Sequence, residues 1–280
     1  MEILFLGTTP DCWPIPFCRC ELCKEARRLG GKNIRTRCSL QLGSKYKVDF
    51  PADSYMHMLK YGLSYADLEH LFITHTHHDH FYPMDLTLRW GGYVRGDIPK
   101  ELHIYGSQAA YQRMLDTLRM YHEAATDLDQ CRIAFNVIEP FERFRAGELD
   151  VMPILASHDK AHQTCLNYIF QNEGKTVLQG FDTGWYPDET WEVLANYQLD
   201  LAIMDCFYGG RETDSPNHLS IGTLIKVKRK MEKMGILSEG CRFIATHFGL
   251  HGGGLLHHQL EEKLNPWGIE VAYDGMKVVI

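Results

Sequence analysis

No stretch of this chain approaches the roughly 20 consecutive apolar residues that a membrane-spanning helix requires, so a membrane role is not expected. The apolar start at residues 1–6 is broken by Asp11 and Cys12 before it reaches the length of a secretion signal, and a cytoplasmic protein is the expectation. A basic excess is missing as well. Chains that follow a phosphate backbone usually carry surplus Lys and Arg to displace counterions, whereas the formal charge here is −7, so no nucleic-acid partner is expected and a small-molecule substrate fits better. A disulfide framework is excluded on similar grounds. Nine cysteines is an odd number, and without a secretion signal metal ligation or core packing uses them better. Linkers and internal repeats are also absent, so residues 1–280 are read as one domain, with 45% apolar content to build its core. A homodimer is compatible with the sequence, which does not require one.

What is present is a regular alternation of short apolar runs and helical segments. Strands are expected at 1–6, 39–42, 46–50, 71–74, 102–105, 133–138, 149–155, 164–170, 177–181, 199–204 and 242–245, and helices at 21–29, 54–61, 107–121 and 220–234. Residues 270–280 read as a hairpin turned at Asp274-Gly275. Strands repeatedly end in Asp or His, which suggests two sheets face to face with helices outside and the chemistry at the strand ends.

Histidine is abundant, with fifteen residues that cluster. The densest group is Thr74-His75-Thr76-His77-His78-Asp79-His80, placed directly after a buried strand. A tight loop of this kind can share its donors between two neighbouring ions, and imidazole with carboxylate suits Zn²⁺, Mn²⁺ or Fe²⁺ rather than Ca²⁺. The run His75, His77, Asp79 and His80 matches His-x-His-x-Asp-His, and here the chain resembles the metallo-β-lactamase superfamily. That resemblance implies an αββα sandwich, an α/β fold of four layers, and a dinuclear centre. It implies His75, His77 and His158 on one ion, Asp79, His80 and His247 on the other, and Asp182 between them. His162 is the rival of His158, and His78 is not expected to be a ligand. Asp49 matches an early acidic position that orients the histidine loop, but the glycine usual two residues later is replaced by Pro51. Asp53 reads as a helix N-cap.

Cys18, Cys20 and Cys23 lie within six residues on a proline-bounded loop, as a structural zinc-thiolate site requires. The loop at 12–23 resembles that of the phosphoribosyl cyclic phosphodiesterase branch of the superfamily, which implies a histidine as the fourth ligand. His251 is the expected residue and Cys12 its rival. The same branch carries a His-Leu-Ser like His218-Leu219-Ser220, implying that His218 contacts phosphate and protonates the leaving group. The expected function is therefore hydrolysis of a small phosphodiester, cyclic ones included, by a hydroxide bridging two active-site metals, Zn or Mn with Fe as the third choice. His218 and Asp79 are the expected catalytic residues, and one structural Zn is expected besides. Thioester or lactone hydrolysis, or a non-catalytic metal-binding sensor, is the alternative. Transfer-RNA processing is disfavoured because no basic arm is present. Arg89, Tyr93, Arg95 and His257 are weaker candidates for the substrate pocket.

Overall fold

The computed structural model describes residues 1–96, 100–122, 127–213, 215–250 and 253–280. In chain order the first half forms β1 (Glu2–Gly7), α1 (Glu21–Leu29), β2 (Ser39–Leu42), β3 (Tyr46–Val48), α2 (Ser54–Tyr61), β4 (His70–Phe72), β5 (Leu102–Gly106), α3 (Gln108–Tyr121) and β6 (Ile133–Val137). The second half forms β7 (Phe144–Ala146), β8 (Leu149–Leu155), β9 (Leu166–Asn172), β10 (Lys175–Gly180), α4 (Asp188–Leu194), β11 (Leu199–Asp205), α5 (Ile221–Lys233), β12 (Leu237–Thr246), α6 (His257–Leu264), β13 (Glu270–Val271) and β14 (Lys277–Val279).

Local chemistry sets many of these boundaries. Gly43, with φ 54°, turns β2 into β3. Gly62, with φ 64°, closes α2 in the left-handed conformation that a side chain disfavours. The hydroxyls of Ser107 and Ser220 accept the backbone N–H of Ala110 and Thr223, satisfying donors that the first turns of α3 and α5 leave unpaired. Asp53 stands at the start of α2 but does not cap it. Its carboxylate instead accepts the backbone N–H of Arg37 at 2.9 Å and pairs with that guanidinium.

The strands form two sheets of seven, in the orders β14-β1-β2-β3-β4-β5-β6 and β13-β12-β11-β10-β9-β8-β7. Between them lies a shared core in which Phe5, Leu40, Val48 and Phe72 meet Val151, Tyr168, Phe170, Val177 and Ile203. Outside the first sheet, Ile73 and Ile104 are covered by Met114 and Leu118 of α3; outside the second, Leu178 and Ala202 belong to the cluster of Trp191 (α4), Leu224 (α5) and Leu260 (α6). This is the αββα sandwich. Each fully buried Leu, Ile or Phe in these layers contributes about 1.5–3 kcal/mol, which ties the two sheets firmly enough to fix side chains at their ends.

One expectation fails at the C-terminal end of the chain. Residues 270–280 do not pair as a hairpin: β13 runs parallel to β12 in the second sheet, whereas β14 lies antiparallel to β1 in the first. The turn between them is held by Asp274, whose carboxylate accepts from the Thr8 hydroxyl and from the backbone N–H and hydroxyl of Thr36, each at 2.7 Å. Ala272 and Val278 then enter the shared core from opposite sheets.

Candidate metal centre

The histidine loop leaves β4 between two anchors. Ile73 donates to the carbonyl of Tyr105 at 2.8 Å, and the Thr74 carbonyl accepts from Leu166 of the second sheet at 2.9 Å. The far end is pinned where Phe50 N–H meets the His80 carbonyl and Tyr82 N–H meets the Phe50 carbonyl, both at 2.8 Å. Asp182 follows β10 and His247 follows β12, and both, like Asp49 after β3, adopt positive φ, at 56°, 60° and 59°. Left-handed backbone is costly for side chains but least so for Asp, Asn and His, and here it turns the chain sharply enough to aim each side chain back across the sheet ends.

The donor atoms fall into two adjoining groups, His75 with His77 and His158, and Asp79 with His80, Asp182 and His247; within each group they lie within 4.8 Å of one another. In the first, His77 Nδ1 is 2.9 Å from His75 Nε2 and 3.2 Å from His158 Nε2. In the second, Asp182 Oδ2 lies 2.8 Å from His80 Nε2, and its Oδ1 lies 2.6 Å from His247 Nε2. Asp182 Oδ2 also reaches to 3.3 Å from His75 Nε2, so one carboxylate spans both groups. His80 Nε2, Asp182 Oδ1 and His247 Nε2 are buried and lie at ion-pair distance, yet among the described residues none of them makes a hydrogen bond of proper geometry. Buried polar atoms almost always find a partner, and atoms that converge without bonding to each other are those a cation would satisfy.

The other ring nitrogen of each histidine is held from behind. His75 Nδ1 contacts the Thr74 hydroxyl at 3.0 Å, His77 Nε2 the Asp159 carboxylate at 3.2 Å, and His158 Nδ1 the Asn217 carbonyl at 3.2 Å. His80 Nδ1 donates to Asp49 at 2.7 Å and His247 Nδ1 to Asp205 at 3.1 Å. Such partners fix ring orientation and tautomer, leaving the opposite nitrogen to face the centre. With Pro51 two residues on, the Asp49 carboxylate also accepts the backbone N–H and hydroxyl of Thr74. Asp159 and Asp205 were not singled out from the sequence. Asp205 did carry a signal, an acid ending a strand as Asp182 nearly does; Asp159, beside His158 in a loop, carried none.

Charge is concentrated here. Burial opposes a proton on His80, but the carboxylates of Asp182, Asp79 and Asp49 outweigh it and hold its pKa well above that of a free imidazole; Asp182 and Asp205 do the same for His247. His75, buried beside the charge of His80, is held well below. In Asp182, burial favours the neutral acid, yet His247 and His80 drive its pKa well below the carboxylate range.

His218 borders this cluster. Its Nδ1 donates to Asp205 Oδ2 at 3.0 Å, while Asp205 Oδ1 takes the backbone N–H of Leu219 at 2.8 Å and of Phe207 at 3.0 Å. The Phe207 ring stacks on the imidazole at 4.2 Å, and the His158 ring meets it edge-on at 4.7 Å. The segment before His218 can approach this closely because residue 184 is glycine: a Cβ there would lie 1.9 Å from the Pro216 carbonyl oxygen.

Other residues singled out from the sequence lie apart. The side chain of His162 is 78% exposed and bonds to Asp159 rather than to the cluster, and that of His78 is 67% exposed, 3.7 Å from Asp11. His257 is buried between Arg35 and Glu261. Arg89 donates to the carbonyls of Cys131, Lys100 and Arg132, which explains it without a substrate; Tyr93 and Arg95 are exposed. Cys18, Cys20 and Cys23 converge into a thiol triad. Cys20 caps α1, accepting Cys23 N–H, and this bond lowers its pKa; burial pushes Cys23 up to about 11. Among the described residues Cys12 does not join the triad, and His251 lies outside the described residues.

A two-sheet sandwich with a His/Asp donor set at one end of its strands defines a metal-dependent hydrolase of the metallo-β-lactamase fold. Residues 55–248 match the β-lactamase superfamily domain, and the chain belongs to that family. No curated protein matches it in sequence. Among solved structures, a diphosphatase from the PhnP family aligns over 99% of this chain and 96% of its own, with TM-score 0.74 at 20% identity. Zn²⁺-bound PqqB from Methylobacterium extorquens aligns over the whole of both chains with TM-score 0.75 at 16% identity. Unliganded yeast PDE1 aligns over 100% of this chain and 99% of its own with TM-score 0.70 at 14% identity. No helix among the described residues is long and apolar enough to cross a membrane.

Proposed function

We propose that the chain hydrolyses a small phosphodiester at a dinuclear metal centre. His75, His77 and His158 would hold one ion, Asp79, His80 and His247 the other, and Asp182 would bridge them; the donor chemistry suits Zn²⁺ or Mn²⁺. When bound, a pair of such ions supplies Lewis acidity and a water activated at neutral pH. The unbonded buried atoms of His80, Asp182 and His247 support this occupancy, and the likeness to the PhnP-family diphosphatase supports phosphorus chemistry. Cys18, Cys20 and Cys23 would hold a separate zinc with a structural role.

The observation that carries the reaction type is the Asp205–His218 pair beside the centre. Asp205 accepts the Nδ1 proton of His218, a nitrogen that also lies 3.9 Å from Asp182 Oδ1, and Nε2 has no protein partner among the described residues. Nε2 would give a proton to an oxygen leaving phosphorus, and the carboxylate behind Nδ1 fixes the ring orientation for that transfer. Asp205 also fixes His247, so the proton donor and the second metal position share one orienting group. His218→Ala should lower turnover of an alkyl phosphodiester, whose leaving group needs a proton, at least about 100-fold, within the range for a lost general acid, while metal content stays unchanged. Intact turnover in that variant would remove His218 from the mechanism.

A further inference from the structure

Behind the metal loop, on the opposite side of β3 from the shared core, lies a lysine that none of this chemistry employs. Lys47 is fully buried, and its ammonium donates to the Ser39 hydroxyl at 2.5 Å. It also faces the rings of Tyr65 and Phe50, 5.5 Å and 5.8 Å from their centroids. The Ser39 hydroxyl in turn reaches two consecutive carbonyls, Val48 at 2.8 Å and Asp49 at 3.0 Å. A hydroxyl has one proton; with the ammonium on its oxygen, that proton has to point toward this carbonyl pair.

The pair lies where the chain leaves the sheet. β3 ends at Val48, and Asp49 turns into the left-handed region at φ 59°, which lets its carboxylate reach Thr74 and His80. Aspartate is one of the few residue types that tolerate this region, and the next two residues are Phe50 and Pro51. Asp49 N–H donates to the Phe72 carbonyl and Phe50 N–H to the His80 carbonyl, each at 2.8 Å, and the Ser39 hydroxyl holds the remaining backbone group, the Asp49 carbonyl. Burying an amine whose one hydrogen-bond partner among the described residues is a hydroxyl is costly, and a methionine of the same length would fill the space without that penalty.

We infer that Lys47 and Ser39 are positioning residues for the second metal position: the ammonium orients the Ser39 hydroxyl, which clamps the Asp49 backbone so that its carboxylate holds His80. This rests on the proposal that His80 binds a metal ion, and the test separates the two. Zn²⁺ affinity at each active-site position is measured by competition with a chelating dye for the wild type, Lys47→Met, Ser39→Ala and Ser39→Thr, alongside thermal melting of the metal-free proteins.

The expected result is selective. Lys47→Met and Ser39→Ala lose about 10-fold at one zinc position, the lower end of the loss typical when an outer partner of a ligand is removed. Ser39→Thr, which keeps the hydroxyl, retains affinity, and metal-free Lys47→Met melts at or above the wild type. Wild-type affinity in Ser39→Ala, or equal losses at both positions together with a lower melting temperature, would overturn the inference. If Lys47→Met does not fold, the contrast between Ser39→Ala and Ser39→Thr decides it alone. A wild type that binds no zinc pair overturns the dinuclear proposal itself, and this inference with it.

Discussion

Replacing Asp205 with Asn tests how far one buried carboxylate organises the centre. Asp205 accepts four hydrogen bonds: two from backbone N–H groups on Oδ1 and two from the Nδ1 atoms of His218 and His247 on Oδ2. Asparagine can keep the first pair on its carbonyl oxygen, but its NH₂ then faces two imidazole N–H groups, donor against donor. Each buried donor left without an acceptor costs about 1–3 kcal/mol; relief comes by rotating the rings or moving their protons to Nε2, which on His247 is the atom proposed to bind the metal. The expected loss of metal affinity at the His247 position is about 10–100-fold, or roughly 1.4–2.8 kcal/mol. With metal restored to saturation, a second defect should remain, because His218 is no longer held as a proton donor. It should be small for p-nitrophenyl esters, whose leaving group departs without a proton, and about 100-fold or more for alkyl esters. Zinc competition titrations and kcat across esters of graded leaving-group pKa measure both effects. Wild-type zinc affinity together with a defect independent of the leaving group would refute the shared-carboxylate argument.

Further outcomes follow from the same geometry. His158→Ala should abolish tight binding of one active-site ion while His162→Ala changes metal content and turnover less than about twofold, as expected of an exposed group away from the cluster; metal analysis of the two variants separates them. Metal loading near neutral pH should release protons, because the carboxylates around His80 and His247 hold both well above the ordinary imidazole pKa in the metal-free protein. Calorimetric titrations in buffers of different ionisation enthalpy detect that release, and identical heats would contradict it. Burial lowers the pKa of Lys47 to about 7 from 10.5, so between those values the unfolded chain binds more protons and stability rises with pH. Lys47→Met should therefore gain about 2–3 kcal/mol more over the wild type at pH 6 than at pH 9, at 1.36 kcal/mol per pKa unit, in urea unfolding. An equal gain at both values would show that Lys47 stays charged. Cys20→Ser should remove one metal per chain and lower the melting temperature without emptying the His/Asp centre, which metal analysis and calorimetry report.

The parts of the site legible in the sequence were those close together in the chain or tied to a strand end. His75, His77, Asp79 and His80 form one run after a buried strand, and Asp182 and His247 each follow an apolar strand, so their convergence follows once two sheets are stacked. The groups that orient the rings were harder to read. Asp159 meets His77 only because the loop after β8 folds over the histidine loop, and Asp205 differs from Asp182 only in where its strand stops relative to its parallel neighbour. Neither spacing nor composition encodes that register. The misread C-terminal hairpin has the same origin: Asp274-Gly275 is good turn chemistry, but Thr8 and Thr36 draw the turn across both sheets. Ser39 and Lys47 looked like ordinary strand residues, because only the fold shows that their side chains meet beneath Asp49.

The proposed arrangement is a dinuclear hydrolytic centre beside a separate thiolate zinc. It is tested most directly by elemental analysis of the purified protein, paired with turnover of bis-p-nitrophenyl phosphate before chelation, after it, and after metal is added back. Close to three metals per chain are expected, with two removed by chelation in step with activity and restored with it. One metal or none per chain, or turnover that survives removal of the exchangeable pair, would contradict it.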